Sequence, residues 1–274
     1  MISNELQLIA ILLICLAIPA NLAAGPSPAI IPTLLEVNGR LQDAPYNNMQ
    51  REALLRGWFR GSGCKLLTEQ SVIGGHPPNL ICTLKGKSDS LIVVGGHSDH
   101  VRKGMGVVDD WSGASMLPSL FQDLRIKNRN HTFMFVGFTD EEKGLVGSAF
   151  FVWHLPGNEK VRIRAMVNLE CLGLAQPEVW SDHAAPNLLS GLLQVARRMR
   201  IPVREVDLER VGRDDAESFR EASIPTITIH SLTQDTIHIM HSPRDNFSAI
   251  NVSDYDESYQ LIAAYLTYLD GVLQ

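Results

Sequence analysis

The 274-residue sequence lacks the features of several protein classes. It has no low-complexity tract and no internal repeat, which excludes collagen-like, disordered and solenoid architectures. Its 24 Lys and Arg against 30 Asp and Glu give a net charge of −6, and the cationic residues are scattered. A nucleic-acid-binding protein is therefore not indicated, because such proteins carry a clustered basic excess. With 45% hydrophobic and 20% charged residues, the composition is that of a globular chain.

Apolar runs long enough to span a membrane are also missing. The apolar run Leu8 to Ala20 is shorter than the roughly 18 residues that a transmembrane helix needs. It fits the core of a signal peptide, although no Lys or Arg precedes it, and the small residues Ala23 and Ala24 follow as candidate cleavage positions. We therefore expect residues 1–24 to be a signal peptide, residues 25–274 a single domain, and the protein to be exported, either secreted or periplasmic. An uncleaved anchor and a mis-assigned start are the alternatives.

Cysteine is sparse, with four residues and no CxxC pair, so a thiolate zinc site is not indicated. Beyond residue 24 three cysteines remain, Cys64, Cys82 and Cys171, and an odd number leaves at least one thiol unpaired. Two interpretations of Cys64 and Cys82 stay open. They form a disulfide between neighbouring segments, or they are two buried thiols.

The rest of the chain alternates strand-like and helical patterns. Strands are predicted over 65–72, 80–84, 91–95, 132–138, 164–169 and 225–230, and helices over 44–60, 112–127, 146–154, 186–200 and 253–269. Continuous apolar strands separated by helices indicate an α/β fold with a mostly parallel sheet that is covered by helices on both faces. The turn at 74–79 predicts that the first two strands form an antiparallel hairpin at one edge of the sheet.

Side chains of the types that bind metals follow three of these strands. They are His97 and Asp99 after the third strand, Glu141 and Glu142 after the fourth, and Glu170 after the fifth. In open α/β sheets, ligands bind outside the carboxyl ends of the strands, so these side chains are expected at one edge. Carboxylates gathered there repel one another unless a cation or protons compensate. Imidazole and carboxylate ligands without thiolate suit zinc in a hydrolytic site, although cobalt or manganese also fits.

A two-metal hydrolase needs a carboxylate that bridges both ions, terminal ligands for each ion and a separate base. Asp109, in a loop that precedes a helix, is suited to bridging. Of the neighbours Glu141 and Glu142, one can bind metal while the other accepts the proton of the attacking water. Metal-bound histidines usually donate their second ring N–H to an acceptor, which Asp99 can supply for His97. Asp245 can do the same for His241.

Six separated motifs resemble those of the co-catalytic dizinc aminopeptidases, a family of zinc exopeptidases that also includes glutaminyl cyclases. The motifs are GGHSDH (95–100), DDWSG (109–113), FTDEEKGLVGS (138–148), NLECLG (168–173), DAESFREASIP (215–225) and HSPRD (241–245). They cover roughly residues 45 to 270 in the family's order. The resemblance implies a three-layer zinc-exopeptidase fold with a single catalytic domain, and peptide substrates that have a free N-terminus.

The resemblance also implies a role for each candidate residue and two bound zinc ions. Asp109 would bridge the ions, Glu142 and His241 would complete one site, His97 and Glu170 would complete the other, Glu141 would be the general base, and Asp99 would orient His97. His238 is the alternative to His241, which we prefer because Asp245 and the HSPRD context match the family there.

One ligand departs from the family pattern, which usually has Asp where this chain has Glu170. An extra methylene changes the reach of the carboxylate by more than the few tenths of an ångström that metal bonds tolerate. We therefore expect the His97/Glu170 site to be the weaker of the two.

Three functions are consistent with these motifs. The first is an aminopeptidase that hydrolyses the N-terminal peptide bond with a metal-activated water. The second is a glutaminyl cyclase-like acyltransferase, whose single zinc would be held by Asp109, Glu142 and His241. The third is a binding ectodomain without activity. Met240 stands where cyclases usually carry Trp, and the sequence KGLVGS is peptidase-like, so the aminopeptidase is preferred.

Replacing Glu170 with Asp tests the expected weakness of the second site. We expect Glu170→Asp to bind the second zinc ion more tightly and to preserve or raise hydrolysis, because the shorter side chain restores the family's ligand. Zinc titration against a competing chelator, together with peptide hydrolysis, measures both effects. A large loss of activity in the variant would show that the surroundings have adapted to Glu170.

Overall fold

The structure is a computed structural model that describes residues 31–207 and 212–274, so the predicted signal peptide lies outside the described residues. The strands are β1 (Leu67–Gln70), β2 (Asn79–Leu84), β3 (Leu91–His97), β4 (Thr132–Phe138), β5 (Ile163–Leu169), β6 (Glu178–Trp180), β7 (Arg204–Val206) and β8 (Thr226–His230). The helices are α1 (Leu34–Gln42), α2 (Asn48–Gly61), α3 (Ser112–Ala114), α4 (Leu117–Arg125), α5 (Val146–Trp153), α6 (Gly157–Lys160), α7 (Pro186–Met199), α8 (Asp215–Glu221) and α9 (Val252–Val272). A π-helical turn, Val107–Trp111, precedes α3.

Within the described residues the strands form one eight-stranded sheet in the order β1-β2-β4-β3-β5-β8-β6-β7. The pairs β3–β4, β3–β5, β5–β8 and β6–β7 are parallel, and the other three are antiparallel. The predicted edge hairpin is confirmed, because β1 pairs antiparallel with β2. The chain passes from β3 to β4 on one side and then to β5 on the other, so the topology reverses at β3. A crevice at such a reversal is where α/β sheets bind ligands.

Helices cover both faces of the sheet, as the apolar strands predicted. Alternate residues of β3 belong to two separate apolar clusters: Ile92 and Val94 pack with α4, α7 and α9, whereas Leu91 and Val93 pack with α5 and α8. Every residue of β3 is buried, which explains why this strand reads as a continuous apolar run rather than an alternating one. The predicted three-layer α/β fold is confirmed.

Several predicted boundaries are wrong, for reasons of local hydrogen bonding. The helix expected from residue 44 begins at Asn48, because the Asn47 side chain accepts the N–H groups of Met49 and Gln50 and so caps it. The final helix is capped by Asn251 rather than by Ser253. The single helix predicted over 112–127 is two helices, α3 and α4. Helices α1, α6 and α8 and strands β6 and β7 were not predicted; most are shorter than the window in which a hydrophobic period can be recognised.

The structure decides between the two interpretations of the cysteines. Cys64, just after α2, and Cys82 in β2 form a disulfide with a Cα–Cα distance of 6.1 Å. Cys171 is a buried free thiol. Among the described residues, no helix combines the length and apolar character that crossing a membrane requires.

Candidate metal centre

The predicted metal ligands lie together at the carboxyl ends of β3, β4 and β5. Their ligand atoms form two groups, each within 4.8 Å: one is His97, Asp109 and Glu170, and the other is Asp109, Glu142 and His241. Asp109 is shared by both groups. The structure thus brings together the five residues that the sequence selected as metal ligands.

The two oxygens of Asp109 face different histidines. Oδ1 lies 3.2 Å from His97 Nε2, and Oδ2 lies 3.1 Å from His241 Nε2. Each histidine is also close to a second carboxylate, since His97 Nε2 is 3.6 Å from Glu170 Oε1 and His241 Nε2 is 2.9 Å from Glu142 Oε2. A carboxylate between two such histidine–carboxylate pairs has the arrangement that a two-metal site requires.

Glu141 belongs to neither group of ligands. Its Oε2 atom is 3.9 Å from His97 Nε2, and its side chain lines a cavity of ≈ 330 Å³ together with Asp109, Glu142, Glu170 and His241. A carboxylate that reaches the ligands without joining them is available for proton transfer.

Asp110, to which the sequence analysis gave no role, fixes the loops that carry the ligands. Its Oδ2 accepts the backbone N–H of His97 at 3.2 Å, and its Oδ1 accepts those of Gly113 at 3.1 Å and Cys171 at 3.0 Å. A Cβ atom on Gly113 would lie 2.6 Å from the Asp110 carboxylate, so only glycine permits this approach. The sequence carried no specific signal for this role, because every residue carries the backbone amides that Asp110 binds.

Arg51, which the sequence analysis did not single out, lies beneath the same loops. The guanidinium is fully buried and donates to the backbone oxygens of Pro45 at 2.7 Å and Gly106 at 3.0 Å, and also to that of Met105. It stacks 5.2 Å from the Trp111 ring. Burial lowers the pKa of Arg51 to about 10, so the side chain remains a cation. Arg51 therefore holds the loop before Asp109 by donating hydrogen bonds to the backbone oxygens of that loop.

Asp99 contacts His97 and also holds the backbone of Glu141 and Glu142. The Nδ1 atom of His97 donates to the backbone oxygen of Asp99 at 3.1 Å and lies 3.5 Å from its carboxylate. That carboxylate accepts the backbone N–H groups of Glu141 at 3.0 Å and Glu142 at 3.3 Å. Asp99 therefore positions the candidate base and a ligand as well as the histidine.

One predicted contact is wrong. Asp245 does not orient His241; its Oδ1 accepts the backbone N–H of Val108 at 2.7 Å and so fixes the approach to Asp109.

Cys171 lies beside the site, just beyond the end of β5 at Leu169. It has a φ of 48°, and its thiol donates to Glu170 Oε1 at 3.3 Å. It belongs to neither ligand group.

His241 rather than His238 joins the ligands. His238 lies on an exposed turn at Ile237–Ile239 and is absent from both ligand groups found among the described residues. The chain path thus brings His241, the histidine that the sequence analysis preferred, to Asp109 and Glu142.

The charges of the cluster fit a bound cation. Burial, together with neighbouring carboxylates, raises the pKa of Glu141 to about 10 and raises that of Glu170 above its usual value. The adjacent carboxylates of Asp109 and Glu142 raise the pKa of His241 to about 10. The buried atoms Asp109 Oδ2 and Glu170 Oε2 accept no hydrogen bond. Two imidazoles and three carboxylates, with acceptor oxygens left unpaired, are a donor set that suits zinc.

Comparison with known proteins agrees with this chemistry. The model of peptidase family M28 matches residues 79–266. The chain is 28% identical over 229 residues to leupeptin-inactivating enzyme 1 of Streptomyces exfoliatus, in an alignment that covers 77% of this chain and 52% of that protein. The chain thus spans about half the length of this relative.

Solved structures share the fold. The structure titled BSAP, a zinc aminopeptidase from Bacillus subtilis, aligns with a TM-score of 0.65 at 22% identity, over 72% of this chain and 50% of that one. The glutaminyl cyclase of an Acidobacteriales bacterium aligns with a TM-score of 0.70 at 15% identity, over 87% and 93% of the two chains. At these identities the likeness concerns the fold, whereas the family match covers well over half of the sequence. This chain belongs to peptidase family M28.

Proposed function

We propose that the protein is a zinc-dependent aminopeptidase that hydrolyses the N-terminal peptide bond of peptides. The observation that carries this proposal is the position of Asp109, one oxygen facing each histidine, beside a Glu141 carboxylate that is free of both ligand groups. The names of the relatives point the same way, because aminopeptidases recur among them.

Two zinc ions fit the ligand groups. Asp109 would bridge them, with Glu142 and His241 on one side and His97 and Glu170 on the other. Zinc held there supplies Lewis acidity toward the scissile carbonyl and toward water. The carboxylate of Glu170 reaches its group despite the extra methylene, so the expected weakness of that site remains a prediction.

Glu141 is the general base in this proposal. It accepts a proton from the attacking water and then delivers that proton to the amine of the leaving peptide. A carboxylate beside both ligand groups is placed for this proton transfer. Its backbone is held by the Asp99 carboxylate, and its side chain lines the cavity that the ligands share. The loop geometry therefore fixes the direction in which the carboxylate points.

Glutaminyl cyclisation is the second candidate. The fold likeness supports it, because the chain aligns with 93% of the Acidobacteriales cyclase at a TM-score of 0.70. Against it stands the complete second ligand group of His97, Asp109 and Glu170, which a single-zinc enzyme does not need. A silent binding ectodomain has less support, since the ligand groups and Glu141 are all present.

Export is proposed on two grounds. The apolar run before Ala23 and Ala24 fits a signal peptide, and the Cys64–Cys82 disulfide is of a kind that persists in oxidising compartments. Residues 25–274 would then be the single catalytic domain.

Zinc content of histidine variants tests the two-site arrangement. We expect about two zinc ions per chain in the unaltered protein, one in His97→Ala and one in His241→Ala, because each change removes a terminal ligand from one site. Asp109→Ala should lose both. Elemental analysis after dialysis measures these numbers. His238→Ala is the matched control and should keep both ions; a loss there instead of in His241→Ala would refute the assignment.

Release of the first residue tests the function. Zinc-loaded protein should cleave unblocked peptides that begin with Leu or Asn, spare the same peptides when they are N-acetylated, and lose activity after chelation. Glu141→Gln should lower kcat by roughly 10² to 10⁴-fold while zinc content stays unchanged, because it removes the base but no ligand. Glu159→Gln, on α6 at the opposite end of the sheet, serves as the control and should retain full activity.

Two outcomes would contradict the aminopeptidase. Loss of ammonia from a peptide that begins with Gln, without release of any residue, would identify a cyclase. Zinc binding with no conversion of any peptide would identify a binding domain.

The mass of the mature chain tests export. Expression with a secretion-competent host should yield extracytoplasmic protein that begins near Gly25, since the small residues precede it. Protein that keeps residues 1–24 would contradict cleavage.

A further inference from the structure

A small second cavity adjoins the metal centre. It has a volume of ≈ 40 Å³ and lies over β5, β6 and β8. Glu170 and Met240 line both this cavity and the larger one that contains Glu141, so the two cavities meet at the ligand cluster. A substrate whose scissile bond lies beside Glu141 can therefore place one side chain here. This volume holds a few heavy atoms, because a cavity needs about 10–15 Å³ to hold one water molecule.

His230, at the end of β8, offers this cavity a hydrogen-bond donor. It is 1% exposed, and its Nδ1 atom accepts the backbone N–H of Leu232 at 3.0 Å. A neutral imidazole that accepts at one nitrogen carries its proton on the other, so Nε2 is an N–H donor. Burial lowers the pKa of His230 to about 3, which keeps the ring neutral. Nε2 is buried and has no hydrogen-bond partner.

Trp180, at the end of β6, supplies a second donor. The residue is 5% exposed and lines the same cavity. Its Nε1 atom, which can only donate, is buried and also lacks a partner. Two unpaired donors in one small cavity require an acceptor there, because buried polar groups are normally hydrogen-bonded.

Asp214 supplies an acceptor. It is 2% exposed, and its Oδ2 accepts from the Thr228 hydroxyl. Its Oδ1 accepts no hydrogen bond; the Arg220 Nη1 atom is 3.6 Å away, which is too far for one. The Arg220 guanidinium nevertheless balances the charge of the carboxylate.

We propose that this cavity selects peptides whose first side chain ends in a carboxamide, as in Asn or Gln. The carboxamide oxygen accepts from His230 Nε2 and Trp180 Nε1, while its NH₂ group donates to Asp214 Oδ1. This inference rests on the proposed aminopeptidase function and names its substrate class.

Other side chains satisfy fewer of these groups. An aliphatic side chain leaves both donors and the acceptor unpaired. A cationic side chain pairs with Asp214, already balanced by Arg220, but offers nothing to the two donors. An anionic side chain meets the carboxylates of Asp214 and Glu170, while the Arg213 guanidinium that also lines the cavity is already paired with Glu217 at 2.8 Å. A hydroxyl carries its donor and its acceptor on one oxygen, whereas a carboxamide carries them on two separate atoms without a charge.

Asn and Leu have nearly the same shape, so paired substrates isolate the hydrogen bonds. We expect kcat/KM for an Asn peptide to exceed that for the matching Leu peptide by at least about tenfold, within the range that buried hydrogen-bonding sites reach. Asn is preferred to Gln for this test because a cyclase would also consume Gln. Equal or better cleavage of Leu, or a clear preference for Lys or Asp, would overturn the proposal.

Tryptophan variants locate the preference in the cavity. Trp180→Phe removes one donor and keeps an aromatic ring, so the Asn to Leu ratio should fall at least fivefold. Trp153→Phe, the same change at a 79% exposed position on α5, should leave the ratio unaltered. Thermal melting shows whether each variant is folded. If Trp180→Phe does not fold, His230→Phe replaces it with the same expectation. An unchanged ratio in a folded variant would refute the assignment.

Binding separates this proposal from the proposed function. If zinc-loaded protein cleaves no peptide, the aminopeptidase fails, and calorimetric titration with free L-asparagine and L-leucine tests the cavity by itself. Tighter binding of asparagine, weakened by Trp180→Phe, supports carboxamide selection. Equal binding of both amino acids, or tighter binding of leucine, overturns it.

Discussion

The carboxylate of Asp110 is the contact on which the metal centre depends. It accepts backbone N–H groups from three places: the end of β3 at His97, the start of α3 at Gly113 and the loop after β5 at Cys171. This carboxyl group is fully buried, and a buried polar group is costly unless it is hydrogen-bonded, so the three amides are its necessary partners. The loops that carry His97, Asp109 and Glu170 are thereby tied to one point, and their side chains cannot move independently.

The sheet topology explains why the ligands come from distant parts of the sequence. β3 is central, with β4 on one side and β5 on the other, so the loops after these three strands open around a single crevice. His97 is the last residue of β3, Glu141 and Glu142 lie on the turn after β4, and Glu170 directly follows β5, while Asp109 and His241 lie on connecting segments. The side chains of Arg51, Asp99 and Asp245 hold those loops through hydrogen bonds with the backbone groups of the loops. A rigid sheet and fixed loops give the precision that metal ligands require.

Buried polar atoms without partners occur in several parts of the described structure, and those at the two adjoining cavities differ in kind. Most buried polar groups of a folded protein are paired, yet Asp109 Oδ2, Glu170 Oε2, Asp214 Oδ1, Trp180 Nε1 and His230 Nε2 are not, and all line two adjoining cavities. Carboxylate oxygens alone remain unpaired at the metal ligands, as expected where a cation binds. Donors and acceptors occur together in the smaller cavity, which is the pattern for an uncharged hydrogen-bonding group.

The sequence by itself determined the α/β class, the main strands and the edge hairpin, because each depends on local pattern: apolar runs for buried strands, and a turn between the first two. The five candidate ligands were selected by the resemblance of the motifs to a known family, which no single local pattern supplies. The tertiary structure alone decided the rest. Whether Cys64 and Cys82 pair, and which of His238 and His241 reaches Asp109, depends on where the chain returns in space. The roles of Asp110 and Asp245 also escaped prediction, because both bind backbone amides, which every residue carries and no pattern marks. The polar cavity of Trp180, Asp214 and His230 joins three segments far apart in the chain, and only their packing leaves those atoms without partners.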